Sequence, residues 1–242
     1  MRTRMPRSAR SPGKGQTEGM DAATRRRLRF LAGFAAYFIA LWLLWGTPVV
    51  FPLKVFVVLL HEISHGLAAI ATGGSIQRIG IEWNEGGYCF CPGGNAFLTL
   101  SAGYLGSLVW GALLLLIANG AAKRHRVTLF TIGTIIAVVT VLYVRNVFGL
   151  VFGAAAGAAL IGAARSLTPP WNRGILTVLG LTSCLYAILD IKSDVIDRPG
   201  IRSDAAMLAE LTHVPTMVWG FLWIGIALAV CFVLGRRIWR KA

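Results

Sequence analysis

The stretch L-H-E-I-S-H-G at residues 60–66 sets three ionisable side chains, His61, Glu62 and His65, inside an otherwise apolar run. On a helix, residues i and i+4 share a face, so the two imidazoles reach toward one metal ion. Glu62, next to the first histidine, stands where it can take a proton from a water at that metal. It is the only acidic residue between Phe30 and Ile81. Ionisable groups at bilayer depth cost about 2.5–3.5 kcal/mol each on insertion scales. A packed polar face or a structural histidine pair is the plain alternative, but that cost favours chemistry.

The surroundings make this a membrane question. Of 242 residues, 56% are hydrophobic and 14% charged, and the apolar residues come in long charge-free blocks rather than amphipathic stripes. The net charge is +14, and 9 of the 24 Lys and Arg precede Phe30. A basic arm lying against anionic lipid accounts for that excess. It has no interleaved aromatics and no base-reading motif, so nucleic acid is not expected as a partner. Residues 1–28 lack an apolar period and are expected to be disordered. Residues 29–242 read as a single polytopic membrane domain.

Taken in order, seven spans are expected: Phe30–Leu53, Val55–Thr72 with the metal motif, Phe97–Asn119, Val127–Val144, Val147–Ala164, Gly174–Leu189 and Val214–Gly235. Between the second and third, Ile79, Ile81 and Trp83 alternate with polar or small residues, N-E-G-G turns the chain, and Tyr88 and Phe90 alternate again. That is a β-hairpin signal. The fold class is therefore all-α and polytopic, about seven transmembrane helices with a short membrane-associated β-hairpin after the metal-motif helix. Gly103, Ser107 and Gly111 recur every fourth residue, as do Gly149, Gly153 and Gly157, and both stripes suit close helix packing. Ser203 is placed to cap a short helix, Asp204–Leu211, before the last span. Cys184 and Cys231 read as core residues. Cys89 and Cys91 point to one face of a strand, where a disulfide is strained and soft metal ligation a weak alternative. Charge on the first helix favours an N-inside orientation, while the Lys123–Arg126 cluster and the basic C-terminal tail oppose it.

A catalytic zinc takes three protein ligands and leaves a place for water. The loop histidines His125 and His213 read as structural or solvated. That leaves Glu82 and Glu85 in the hairpin and Asp190, Asp194, Asp197 and Asp204 after span six. Spans two and six run in the same direction, so their C-terminal halves share one membrane side. His65 lies about 18 Å along its helix and Asp190 about 25 Å along its own, a gap that tilt absorbs. Asp190 is thus the expected third ligand and Asp194 the next choice; a solvated acidic loop is the alternative for both.

These features resemble the site-2 protease family of membrane-embedded zinc metalloproteases, in its bacterial and plant side branch. The similarity rests on H-E-I-S-H-G-L-A-A-I-A-T-G-G (61–74), S-A-G-Y-L-G-S (101–107) and the D-I-K-S-D…S-D-A run (190–205), and it covers roughly residues 50–235. The resemblance implies His61 and His65 as Zn2+ ligands, Glu62 as catalytic acid/base, and a hairpin that pairs with an unwound substrate segment by β-addition. The family's usual Asn, Pro and Asp-Gly motif is missing: Asn146 is followed by Val-Phe-Gly, and the chain holds no Asp-Gly. Asn146 is a candidate for substrate positioning or an oxyanion contact.

The function expected is a zinc metalloendopeptidase that cleaves membrane protein or peptide substrates, multi-pass in the lipid bilayer of the cytoplasmic (plasma) membrane. Two other readings stand beside it. One is an inactive membrane scaffold or chaperone of the same fold, kept open by the missing motif. The other is an ion transporter, disfavoured because the two halves show no internal repeat.

Overall fold

The computed structural model describes residues 14–198 and 200–241. Its elements in order are α1 (Lys14–Leu44), α2 (Phe51–Ala71), β1 (Arg78–Ile81), β2 (Gly87–Phe90), α3 (Ala96–Ala118), α4 (Ala122–Tyr143), α5 (Val147–Ser166), α6 (Pro169–Lys192), α7 (Asp204–Thr212) and α8 (Thr216–Lys241). A five-residue π-helical turn, Ser193–Asp197, prolongs α6.

Six helices among the described residues are long and apolar enough to cross a membrane: α2, α3, α4, α5, α6 with its π-turn, and α8. Seven were expected, and the difference lies at the start. The expected first span, Phe30–Leu53, is broken by turns between Leu44 and Phe51, and Leu53 belongs to α2. Pro52 sits in the first turn of α2, where its missing N–H costs nothing. Among the described residues the apolar part of α1 runs Ala32–Leu44. Of the arm expected to be disordered, residues 1–13 lie outside the described residues, and from Lys14 the chain is helical.

α2 is the enclosed helix. Of its apolar window 72% is buried, against 22% for α8, as expected of a helix that is hydrophobic all round. α3 lies between α2 and α6, and the small-residue stripe lets it come close: a side chain on Gly111 would meet the α6 backbone at Gly180. α4 and α5 approach in the same way through Gly133 and Gly157. A second core cluster, built from Tyr104, Ile191, Val195, Leu208 and Trp223, ties α3, α6, α7 and α8 together at one end of the bundle.

The hairpin folds back along α2. β1 and β2 are antiparallel, with Ile79 opposite Cys89 and Ile81 opposite Gly87. Its inner face carries Ile79 and Ile81, both fully buried. The loop is Glu82–Gly86, so Trp83 falls outside the strand and is exposed. Glu85, in the left-handed region at φ 68°, makes the turn, and its carboxylate accepts a 2.7 Å ion pair from Lys54 on α2. Cys89 and Cys91 are joined as a disulfide, the pairing that strand geometry argued against.

The free edge of β1 is covered by the α4–α5 connection. Val144 bridges to Ile79 in parallel, and the Arg145 N–H donates to the Ile79 carbonyl at 3.1 Å. Asn146 completes the cover: its Oδ1 accepts from the Ile81 N–H at 3.1 Å and its Nδ2 donates to the Ile81 carbonyl at 2.5 Å. Its amide acts as one more peptide unit beside β1, which accounts for both its polar groups. The structure thus places the candidate for substrate positioning or oxyanion contact at the covered edge of β1. Asn146→Leu should leave both Ile81 backbone groups unpaired at a cost of about 1–3 kcal/mol. Hydrogen exchange should show it as faster exchange at the Ile81 amide, with α2 amides unchanged.

Candidate metal centre

His61, Glu62 and His65 are all buried near the middle of α2. The His65 Nδ1–H donates to the Thr99 carbonyl at 2.7 Å, which fixes the tautomer and turns the Nε2 lone pair inward. The His61 ring stands edge-on to His65, with centroids 4.8 Å apart, and edge-on to Tyr104 at 5.1 Å. Both rings are thereby held in place.

The third group comes from α7. Asp204 Oδ2 lies 2.9 Å from His61 Nε2 and 3.1 Å from His65 Nε2. These three side chains form the group able to hold a metal ion among the described residues. Asp204 is the first residue of α7, and Ser203 caps that helix by accepting from the Ala206 N–H at 3.3 Å, as the sequence suggested. Buried Ala205 and Leu208 press α7 into the cluster around Tyr104 and Trp223. Burial alone would raise the Asp204 carboxyl. Without a cation, the positive charge of a doubly protonated His65 and hydrogen bonds from both histidines outweigh it and hold the group well below the usual carboxylate range. It is ionised at neutral pH, as a metal ligand must be.

The expected third ligand, Asp190, is not in this group. It sits near the end of α6, and Asp204, 14 positions further on, takes the place assigned to it. Asp194 is engaged elsewhere: it accepts from the Tyr104 hydroxyl at 2.7 Å and from Arg198 at 2.8 Å. The loop between the π-turn and α7 reverses the chain, and distance counted along a straight α6 could not register that. The available signal was Ser203-Asp204 itself, a capped helix start that presents a carboxylate at its first residue.

The donor set fits zinc. Two imidazole nitrogens and one carboxylate oxygen lie within 4.8 Å of one another, and the two oxygen–nitrogen edges, 2.9 and 3.1 Å, come near the roughly 3.3 Å expected for a tetrahedron with about 2.0 Å metal–nitrogen bonds. With Nδ1 of His65 committed to Thr99, neutral His65 can offer Asp204 only a lone pair. A cation between them turns that repulsion into ligation.

Two glycines shape the site. A side chain on Gly103 would fall 2.2 Å from His61 Nε2 and 2.6 Å from His65 Nε2, so this member of the α3 stripe keeps the metal position open. A side chain on Gly87 would fall 2.6 Å from Glu62 Oε1, so β2 passes directly beside the glutamate. Glu62 makes no hydrogen bond or ion pair among the described residues.

A family model described as Peptidase M50B-like matches residues 34–234. The chain belongs to this family. It is thus a member of the site-2 protease family, a peptidase family of the membrane. No curated protein and no solved structure matches the chain. With its six long apolar helices, this M50B-like chain is an integral membrane protein.

Three substitutions test the site. Asp204→Asn should lower zinc affinity by at least about 100-fold, since weaker changes around metal ligands already cost 10–100-fold. Asp190→Asn should leave the bound zinc content of the purified protein unchanged. Gly103→Ala favours the α3 helix by about 1 kcal/mol, yet it should empty the site in the same metal assay.

Proposed function

We propose that this M50B-like chain is a membrane-embedded zinc metalloendopeptidase that cleaves membrane protein or peptide segments. The observation that carries the reading is the position of Glu62, unpartnered, between the His61–His65–Asp204 group and the face of β2 at Gly87, a strand whose outer edge is free.

That edge suits a peptide. In an antiparallel pair the bonded residues alternate. The Glu82 N–H donates to the Gly86 carbonyl at 2.8 Å, so Gly80 with Tyr88 forms the next bonded pair, and Gly87 and Cys89 turn their backbone groups outward. Those groups pair with nothing among the described residues. An extended substrate strand adds there by main-chain hydrogen bonds, which brings its carbonyl carbon past Glu62. The unwinding this demands also explains why a strand edge, rather than a helix, faces the site.

His61, His65 and Asp204 would hold the ion. Zinc, when bound, supplies Lewis acidity and lowers the pKa of a water toward about 7. Glu62 receives the proton from the attacking water on a carboxylate oxygen and returns it to the leaving amine nitrogen, the usual double duty of a general base and acid. A hydrogen-bonded line of polar groups, Arg198, Asp194 and Tyr104, leads toward the site and would be the way in for water; the Arg198 side chain is 57% exposed and Asp194 16%. The membrane concerned is the cytoplasmic one, as the basic arm suggests.

Glu62→Gln should abolish peptide cleavage, by at least about 100-fold, while zinc stays near one per chain. Undiminished turnover would overturn the assignment. A parent protein that binds zinc yet cleaves no membrane-protein substrate would favour the scaffold reading.

A further inference from the structure

At the end of the bundle away from Glu62, the starts of α4 and α6 meet the end of α3 around a cavity of about 590 Å³, lined among others by Asn119, Gly120, Ala122, His125, Pro170 and Arg173. It lies ~22 Å along α3 from Gly103 at helical rise. His125 is only 3% exposed, and neither of its ring nitrogens has a hydrogen-bond partner. A buried imidazole with both nitrogens unpaired is costly, so the ligand that answers it is absent from the protein itself.

The charge around the cavity says what kind of ligand that is. Lys123, Arg124, Arg126 and Arg173 stand on the helices that frame it, and none of them is in an ion pair among the described residues. Residues 118–126 and 165–177 contain no Asp or Glu. The Arg124 guanidinium lies over Gly120 at the cavity rim, 3.9 Å from where a side chain there would begin. The start of α4 has no side-chain cap, so its first N–H groups are open at a positive helix end. α6 starts without a side-chain cap as well, though its two leading prolines remove two of those donors. Buried imidazole, guanidinium and free helix N–H groups together are phosphate-binding chemistry.

We propose that this cavity binds a phosphate-bearing anion, carried on a lipid headgroup or free, at the membrane face opposite the metal centre. Arg173 and Arg124 supply charge at the mouth, His125 hydrogen-bonds the deepest oxygen, and the start of α4 contributes backbone donors. The site is independent of the peptidase reading.

The test uses the purified full chain in a neutral detergent and three probes: dihexanoyl phosphatidylglycerol, dihexanoyl phosphatidylcholine and inorganic phosphate. Binding is measured for the parent protein, for Arg173→Gln and for Arg124→Gln, both changes at the rim that leave the core packing alone. Helical circular dichroism confirms the fold of each. Saturable phosphatidylglycerol binding, weakened at least about tenfold by either change and not matched by phosphatidylcholine, supports the lipid source. Inorganic phosphate binding with the same dependence on Arg173 supports a free anion. Failure of both anions to bind, or binding indifferent to both substitutions, overturns the proposal.

Discussion

The Asp204 carboxylate oxygen, within 2.9 and 3.1 Å of two imidazole nitrogens, is the contact on which the bundle depends. It joins the most enclosed helix to a short helix that arrives late in the chain. In an apolar bundle each of these groups alone would be a liability, because a buried charge or unpaired polar atom costs far more there than at a surface. Brought together around a cation position, they offset one another. Much of the surrounding architecture serves this meeting. Ser203 caps α7 so that its first residue is an aspartate, Leu208 anchors it, and Tyr104 braces the His61 ring while its hydroxyl occupies Asp194.

The hairpin answers a different constraint. Strand edges are not tolerated in lipid unless protein covers them. β1 meets that condition twice, through β2 on one side and through Val144, Arg145 and the Asn146 amide on the other. β2 is covered on one side only, and Glu62 lies against its face at Gly87. A fold that closes one edge so thoroughly and leaves the other open, on the strand whose face meets a carboxylate, has the asymmetry that strand addition requires.

Local patterns were legible in the sequence, and chain reversals were not. The histidine pair and its glutamate follow from i, i+4 spacing, and the hairpin from alternation that the structure reproduces with Ile79 and Ile81 buried. The cap at Ser203 was readable too. The third ligand was not, because counting rise along α6 assumes that the chain keeps its direction, whereas the segment after the π-turn doubles back and delivers Asp204 in place of Asp190. The first span was overestimated for a related reason. Hydropathy runs on through Trp45–Leu53, but turns end α1 at Leu44 and Pro52 already belongs to the next helix. Hydropathy measures what lipid tolerates and carries no record of where the backbone bends.

The glycines of α3 show how one pattern can hide two causes. Gly111 is small because the α6 backbone at Gly180 lies against it, which is packing. Gly103, two turns earlier in the same stripe, is small because the Nε2 atoms of His61 and His65 occupy the space its side chain would fill. Spacing alone assigns both to helix contact. What separates them is the neighbour: backbone at one position, candidate metal ligands at the other. Close approach of α3 to α6 then fixes how near α3 stands to α2, so the packing glycine sets the geometry in which the site glycine has to be bare.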